Sequence, residues 1–380
     1  MSQRIYLDHN ATTPIDSDVL KVVIEGLKET GNPSSVHFDG QQSRRKLEAS
    51  RESIARFLQV RPEEIIFNSG GTEGAHFFLD GIMKMHPKGH LLTSSVEHAC
   101  VYRSAEHLLK RGYEVSFLPV GPWGAPLPQQ VEEAIRPDTR LICLMAANNE
   151  TGTITDSAAI AEIAKKHEIP FVVDGVTLLG KERFHIPEGI SGMFFSGHKI
   201  HAPRGIGFCF CRRGLKLNPT FLGGLQEFNK RAGTENIAGI MGLAKAVELF
   251  RDGNLEKYTQ QMRDFRNTFE KGLFQELQDI VINGEGPRIS NTSNLSFLGL
   301  EGEVLLIQLD LLAGISASHG SACASGTLEP SRILTNMGLP ASRTRSALRF
   351  SLSRTTTEEE VNKAVGFIVD LVKKLRRGLI

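Results

Sequence analysis

The sequence predicts an α/β protein: a large domain built on a mainly parallel sheet covered by helices, plus a smaller α+β domain. Three observations predict it. From about residue 60 to 212, short apolar runs alternate with helical segments, the pattern of a parallel sheet covered on both faces. After about residue 254 that alternation gives way to a mixed order of helices and strands. A chain of 380 residues is also long enough for one large domain and one smaller one. The expected division is a large domain over residues 15–253 and a small domain formed by 1–14 with 254–380.

The expected strands of the first part are Ile65–Asn68, Leu91–Ser94, Glu114–Pro119, Leu141–Ala146, Phe171–Asp174, Met193–Phe195 and Ile206–Cys211. Between them lie segments such as Asp156–Lys166, whose Ile160, Ile163 and Ala164 share one helical face. In such sheets ligands bind beyond the carboxyl ends of the strands, where Asp174 and Ser196 fall. The second part begins with a long amphipathic helix, Leu255–Leu277, then a strand at Asn294–Phe297 and a helix at Gly302–Leu312. A strand at Leu348–Ser351 and a last helix follow, the helix opened by Thr357 with Glu360 three residues on, a capping-box spacing.

Composition narrows the function. Basic and acidic residues number 44 and 43, so nothing points to a nucleic-acid partner. The basic end Lys373-Lys374-Leu375-Arg376-Arg377 reads as the solvated end of a helix. No apolar run approaches the ~18 residues of a membrane span, and Met1–Tyr6 lacks the apolar core of a signal peptide. A cytoplasmic location is expected. The five cysteines, Cys100, Cys143, Cys209, Cys211 and Cys323, form no paired framework and read as reduced thiols. Cys209 and Cys211 alternate on one strand and point to one face, too few ligands for a metal.

The chemistry is concentrated in a few motifs. Ser196-Gly197-His198-Lys199 follows an apolar strand, and Asp174 closes another, Phe171-Val172-Val173. A lysine among small residues can form a Schiff base with an aldehyde cofactor. A nearby aspartate can keep the pyridinium nitrogen of pyridoxal 5′-phosphate (PLP) protonated, which makes the ring an electron sink. Taken singly, Lys199 and Asp174 are more often a solvated lysine and a turn residue; their spacing and the flanking strands change that reading. Ser69-Gly70-Gly71-Thr72-Glu73 joins a strand to a helix, so Gly71 and Thr72 can present backbone donors to a phosphate. A plain turn fits that segment nearly as well. Ser196 and His198 can add side-chain donors. His98 can lie against the cofactor ring and move protons, or be a satisfied loop histidine. Asn149 can donate to a ring hydroxyl, or serve a turn.

Two features lie further on. Cys323 sits in Gly320-Ser321-Ala322-Cys323-Ala324-Ser325-Gly326, a loop of small residues. A mobile thiol suits a nucleophile that travels to its target and back; an ordinary surface cysteine is the alternative. Arg349 can clamp an α-carboxylate through two parallel hydrogen bonds, or make a structural ion pair.

Together these motifs resemble the cysteine desulfurases of the NifS/IscS-like type, in the class V aminotransferase superfamily of PLP fold type I. The resemblance runs nearly end to end. It includes Tyr6-Leu7-Asp8-His9-Asn10-Ala11-Thr12-Thr13-Pro14, Gly31-Asn32-Pro33-Ser34-Ser35-Val36-His37, Gly223-Gly224-Leu225-Gln226-Glu227 and Arg231-Ala232-Gly233-Thr234-Glu235-Asn236. It implies a PLP-dependent conversion of L-cysteine to L-alanine. Lys199 would be the Schiff-base lysine, Asp174 would face the ring nitrogen, and His98 would stack on the ring. Gly71, Thr72, Ser196 and His198 would contact the phosphate, with Thr234 reaching it from the second subunit of a homodimer. Cys323 would carry the persulfide, Arg349 would hold the carboxylate, and an iron–sulfur scaffold or other acceptor protein would receive the sulfur.

The chain departs from the family in four places. Thr177 stands three residues after Asp174, where a glutamine usually bonds the ring oxygen. Gly74-Ala75 replace a more polar pair, His319 replaces a serine, and Phe228-Asn229 replace Arg-Gly. Selenocysteine lyase, a class V transaminase and a PLP-binding sulfur-relay or docking subunit remain as alternatives.

Overall fold

A computed structural model describes residues 4–320 and 330–378. The large sheet has seven strands, in spatial order Ile65–Asn68, Gly207–Cys211, Ile190–Ser196, Phe171–Asp174, Thr139–Met145, His90–Ser94 and Glu114–Leu118. All pairings are parallel except those of Gly207–Cys211 with its two neighbours. The exception has a geometric cause. Residues 197–206 join Ile190–Ser196 to Gly207–Cys211, and a parallel return needs a crossover of a dozen or more residues. The chain therefore folds straight back, and Lys199 sits in that short link.

The strands Ile65–Asn68, Phe171–Asp174 and Gly207–Cys211 are buried at every residue. This is why they read as unbroken apolar runs rather than alternating ones. Helices cover both faces. The Gly71–Met83 helix packs Phe78, Leu79 and Ile82 on one side, together with Leu91, Val172 and Phe194. On the other side, Ile160 and Ala164 of the Ser157–Lys166 helix join Ile240 and Leu243 of the Ile237–Glu248 helix over Val173 and Phe195.

A separate apolar cluster joins Ile5 and Leu7 to Phe269, Leu295, Leu305, Leu348, Val361 and Ile368. Its sheet is antiparallel, in the order Ala347–Ser351, Thr292–Phe297, Ile280–Ile282. The start of the chain is stitched to this region: Ile5–Tyr6 pairs in parallel with Ile315–Ser316, and Asp8 bridges to Ser351. The Asn254–Glu276 and Glu358–Arg376 helices pack together outside the sheet.

Two expectations are corrected. The segment read as one helix over 302–312 is α-helical only from Gly302 to Gln308. It then widens into a π turn, Leu309–Ala313, ended by Gly314 at φ +63°. Met193–Phe195 is the middle of a longer strand, because Gly192 and Ser191 hid the start of its apolar run. The Thr357–Glu360 capping box is present, with each side chain accepting from the other's backbone N–H. Among the described residues no helix is long and apolar enough to cross a membrane.

Candidate active site

A cavity of about 800 Å³ opens at the carboxyl ends of the central strands. Its walls come from strand ends, from the start of the Gly71–Met83 helix, and from the first residues of the chain. Gly71, Thr72, His98, Asn149, Asp174, Thr177, Ser196, His198, Lys199 and Arg349 all line it. Thr234 is exposed and does not line this cavity. Cys323 lies outside the described residues.

Asp174 ends its strand buried, with the Val176 N–H donating to Oδ1 at 2.9 Å. Burial raises its pKa to about 6, opposed by that hydrogen bond and by Lys199. Lys199 lies in the turn Gly197–Lys199. Its Nζ donates to the backbone carbonyls of Asn10 and of Ala11, the latter at 2.8 Å. Burial, then the charge of Arg349, lowers its pKa to about 8, while Asp8 and Asp174 pull the other way. The neutral amine, which attack on a carbonyl requires, is thus far more accessible near physiological pH than in an ordinary lysine.

His98 caps the Ala99–Lys110 helix, its Nδ1 accepting from the Cys100 N–H at 3.2 Å. Nδ1 therefore carries a lone pair, and the proton of the neutral ring belongs on Nε2. Burial and Lys199 lower the His98 pKa to about 4. His198 is likewise lowered to about 4 by burial and then Lys199, and its Nδ1 lies 3.1 Å from Thr12 Oγ1.

Arg349 brings a positive charge to the same cavity. Arg349 Nη2 donates to Asp8 Oδ1 at 2.6 Å, and Nη1 donates to the Asn149 carbonyl at 3.1 Å. The ion pair that was the alternative reading of Arg349 is present, yet its guanidinium still faces the cavity.

Three observations test whether PLP fits. First, at Gly71 a Cβ would lie 2.9 Å from Val176 Cγ2, and Gly70 adopts φ +143° beside Ser196. The bare backbone at this helix start leaves room that a side chain would fill, and first-turn N–H groups of a helix are free to donate to an anion. Second, Asn149 Oδ1 is buried without a partner among the described residues. Third, an amine and a carboxyl group with shifted pKa values line the same cavity. The residues present fit the cofactor.

Several cavity residues were not read from sequence. Asp8, Asn10, Ala11 and Thr12 reach the site from nearly two hundred residues away, partly through backbone carbonyls, which carry no side-chain signal. Glu97, adjacent to His98 but not itself lining the cavity, is wholly buried, with its carboxyl raised to about 8 by burial. Ser94 Oγ donates to it at 2.5 Å. Cys100 lines the cavity with its Sγ 3.0 Å from His98 Nδ1, and burial pushes its thiol pKa up.

A mainly parallel sheet with a lysine at its chain reversal, an aspartate at the neighbouring strand end and a glycine-rich helix start defines a class of protein. The chain belongs to the aminotransferase class-V family, whose model matches residues 5–364. Within that family it is similar to the cysteine desulfurase IscS of Dictyoglomus turgidum, at 39% identity covering 99% of this chain and 96% of that one. The cysteine desulfurase IscS of Methanosarcina thermophila is 38% identical, covering 99% and 93%. Among solved structures, a NifS-like protein superposes with TM-score 0.90 at 32% identity, covering 98% of this chain and all of that one. SspA, solved in complex with cysteine, gives TM-score 0.82 at 32% identity, covering 93% and 100%. The fold is PLP fold type I.

Proposed function

We propose that this protein is a PLP-dependent cysteine desulfurase that converts L-cysteine to L-alanine and loads the sulfur on Cys323 as a persulfide. The observation that carries the reading is the convergence of Lys199, Asp174 and Arg349 on one cavity. Relatives at about 39% identity over the whole chain carry that name.

In this reading Lys199 holds the cofactor covalently through its amine, and Asp174 faces the ring nitrogen. Asn149 and Thr177 contact the ring oxygen, with Thr177 reaching less far than glutamine would. The Gly71 and Thr72 backbone, Ser196, His198 and, across a homodimer, Thr234 hold the phosphate. When bound, PLP supplies an electron sink for negative charge at the substrate Cα.

The chain's own residues do the rest. Arg349 binds and orients the α-carboxylate, and Lys199 takes and returns the Cα proton. The thiolate of Cys323 attacks the substrate sulfur. An S–S bond forms as the Cβ–S bond breaks, its electron pair remains with the carbon skeleton, and protonation there leaves alanine. His98, neutral at working pH with its proton on Nε2, is placed to relay a proton. The chain divides into a large domain of residues 15–253 and a small one of 1–14 with 254–380; the separate apolar cluster containing Ile5 and Leu7 supports this. The protein works in the cytoplasm and passes sulfur to an acceptor such as an iron–sulfur scaffold.

The test is a comparison of the wild type and Lys199→Ala, each incubated with PLP and L-cysteine. Wild type should release alanine and retain PLP through desalting, and Lys199→Ala should do neither. PLP-loaded wild type that releases alanine from selenocysteine but not from cysteine would overturn the substrate assignment.

A further inference from the structure

The amine of Lys199 and its backbone are held by different groups. Nζ donates to the Asn10 and Ala11 carbonyls, bonds that it gives up on taking the cofactor. The backbone is tied separately, by two buried side chains. The first is Thr13, 6% exposed. Its hydroxyl donates to the His198 carbonyl at 2.9 Å and accepts from the His201 N–H at 2.7 Å. Its own N–H donates to the same His198 carbonyl at 2.9 Å. One threonine thus brackets Lys199 from the residue before it to the second residue after it. The second is Lys181, 4% exposed. Its Nζ donates to the Lys199 carbonyl. Its own carbonyl is anchored by the hydroxyls of Thr259 and Ser290, at 2.9 and 2.8 Å.

The link that carries Lys199 needs such ties. His201 has φ +66°, in the left-handed region that non-glycine residues avoid. A strained conformation persists only where its surroundings over-determine it. Here the His201 N–H meets Thr13, its carbonyl accepts from the Asp16 N–H at 3.0 Å, and its ring Nδ1 donates to the Pro14 carbonyl at 2.9 Å. Lys181 is the other unusual feature. Burying an amine this completely is costly, and among the described residues the one hydrogen bond it makes is to the backbone of Lys199. Burial, then the charge of Lys199, lowers its pKa to about 7. A neutral amine still has hydrogens to donate, so this tie does not depend on charge.

We propose that Thr13 and Lys181 are positioning residues that hold the backbone of Lys199 still while its amine changes partners. The amine leaves the Asn10 and Ala11 carbonyls for the cofactor, and later takes and returns the substrate Cα proton. The inference rests on reading Lys199 as the residue that holds PLP. A fixed backbone lets each of these transfers start from the same place, and a misplacement of about 1 Å can cost a hundredfold in rate.

The experiment uses the full-length apoprotein as wild type, Thr13→Val, Thr13→Ser, Lys181→Met and Lys199→Ala. It reads the rate of PLP capture from cofactor absorbance, and the affinity for pyridoxamine 5′-phosphate, which fits the same pocket but has no aldehyde for Lys199. Valine keeps the shape of threonine without the hydroxyl, and methionine keeps most of the length of lysine without the amine. Capture should slow about tenfold to a hundredfold in Thr13→Val and Lys181→Met, while their affinity for pyridoxamine 5′-phosphate stays that of wild type. Thr13→Ser, which retains the hydroxyl, should capture PLP at the wild-type rate. In the PLP-loaded proteins, exchange of the L-alanine Cα proton with deuterated water, which needs Lys199 but not Cys323, should slow in the same two variants. Lys181→Met carries the test if Thr13→Val does not fold. Wild-type capture in both variants, with none in Lys199→Ala, would overturn the role of Thr13 and Lys181 and leave Lys199 as the PLP lysine. A parallel loss of pyridoxamine 5′-phosphate affinity would also overturn it, since these residues would then shape the pocket and not the lysine. Capture by Lys199→Ala at the wild-type rate would remove the reading of Lys199, and the inference with it.

Discussion

Lys199 shows how much of the chemistry is set by single side chains. Its amine is buried beside Arg349, which disfavours the ammonium, and only Asp8 and Asp174 favour it. The neutral fraction therefore rises with pH through a midpoint at about 8 and levels off well above it. Capture of PLP by the apoprotein should accelerate over that range and then level off, as followed by the change in cofactor absorbance. Arg349→Gln removes a positive neighbour, so the midpoint should move to higher pH. A rate independent of pH between 6 and 9 would contradict this account of Lys199. Lys199, Asp174 and Ser196 were legible in the sequence because each ends an apolar run, and strand ends face the ligand in such sheets. Asp8 and Asn10 were not, since their role comes from contacts made only after the two ends of the chain meet. Thr234 is legible only through resemblance, because it lies outside the cavity of its own chain.

At the scale of elements, the segment Glu227–Asn229 carries local backbone strain. Glu227, Phe228 and Asn229 have φ of 46°, 57° and 61° in succession, a left-handed conformation that non-glycine residues avoid. Asn229 tolerates it better than most non-glycine residues. The segment is held by the buried Glu227 carboxylate, which accepts from Arg51 at 2.8 and 2.9 Å and from the Phe67 N–H at 2.8 Å. Arg51 in turn stacks over the Phe67 and Phe228 rings. Glu227→Ala leaves the buried Arg51 with only Glu48 at 3.2 Å and the Ile65 carbonyl as partners, and should cost about 3 kcal/mol in denaturant unfolding. Removing Glu188 from its exposed pair with Lys165 should change nothing measurable. Equal effects would show that burial is not what matters here. The sequence showed the missing Arg-Gly at this point but not the strain, because the partners lie on a distant helix and an edge strand.

For the whole molecule, the order of the large sheet follows from connection length. Long helical links return the chain in parallel, and the one short link reverses it and carries Lys199. That much was readable as α/β alternation, although the antiparallel strand was not, since strand direction leaves no mark on composition. The molecule also exposes large apolar side chains, among them Val36 at 92%, Leu222 at 86% and Leu225 at 80%. Leu222 and Leu225 sit near each other in the sequence, and the homodimer proposed above would cover them. The protein should sediment at twice the 41.8 kDa chain mass. Leu222→Glu combined with Leu225→Glu should yield monomers that lose PLP faster than wild type, because Thr234 then has no second site to reach. Monomeric wild type that holds PLP as tightly as its relatives would refute the proposed dimer.

The most direct test of the proposed activity is to incubate the PLP-loaded protein with L-cysteine and measure alanine and sulfide together, with Cys323→Ala in parallel. The account predicts stoichiometric alanine and sulfide under reducing conditions from wild type, and neither from a variant that still binds PLP. PLP-loaded wild type that makes no alanine, or Cys323→Ala that makes it at the wild-type rate, would contradict it.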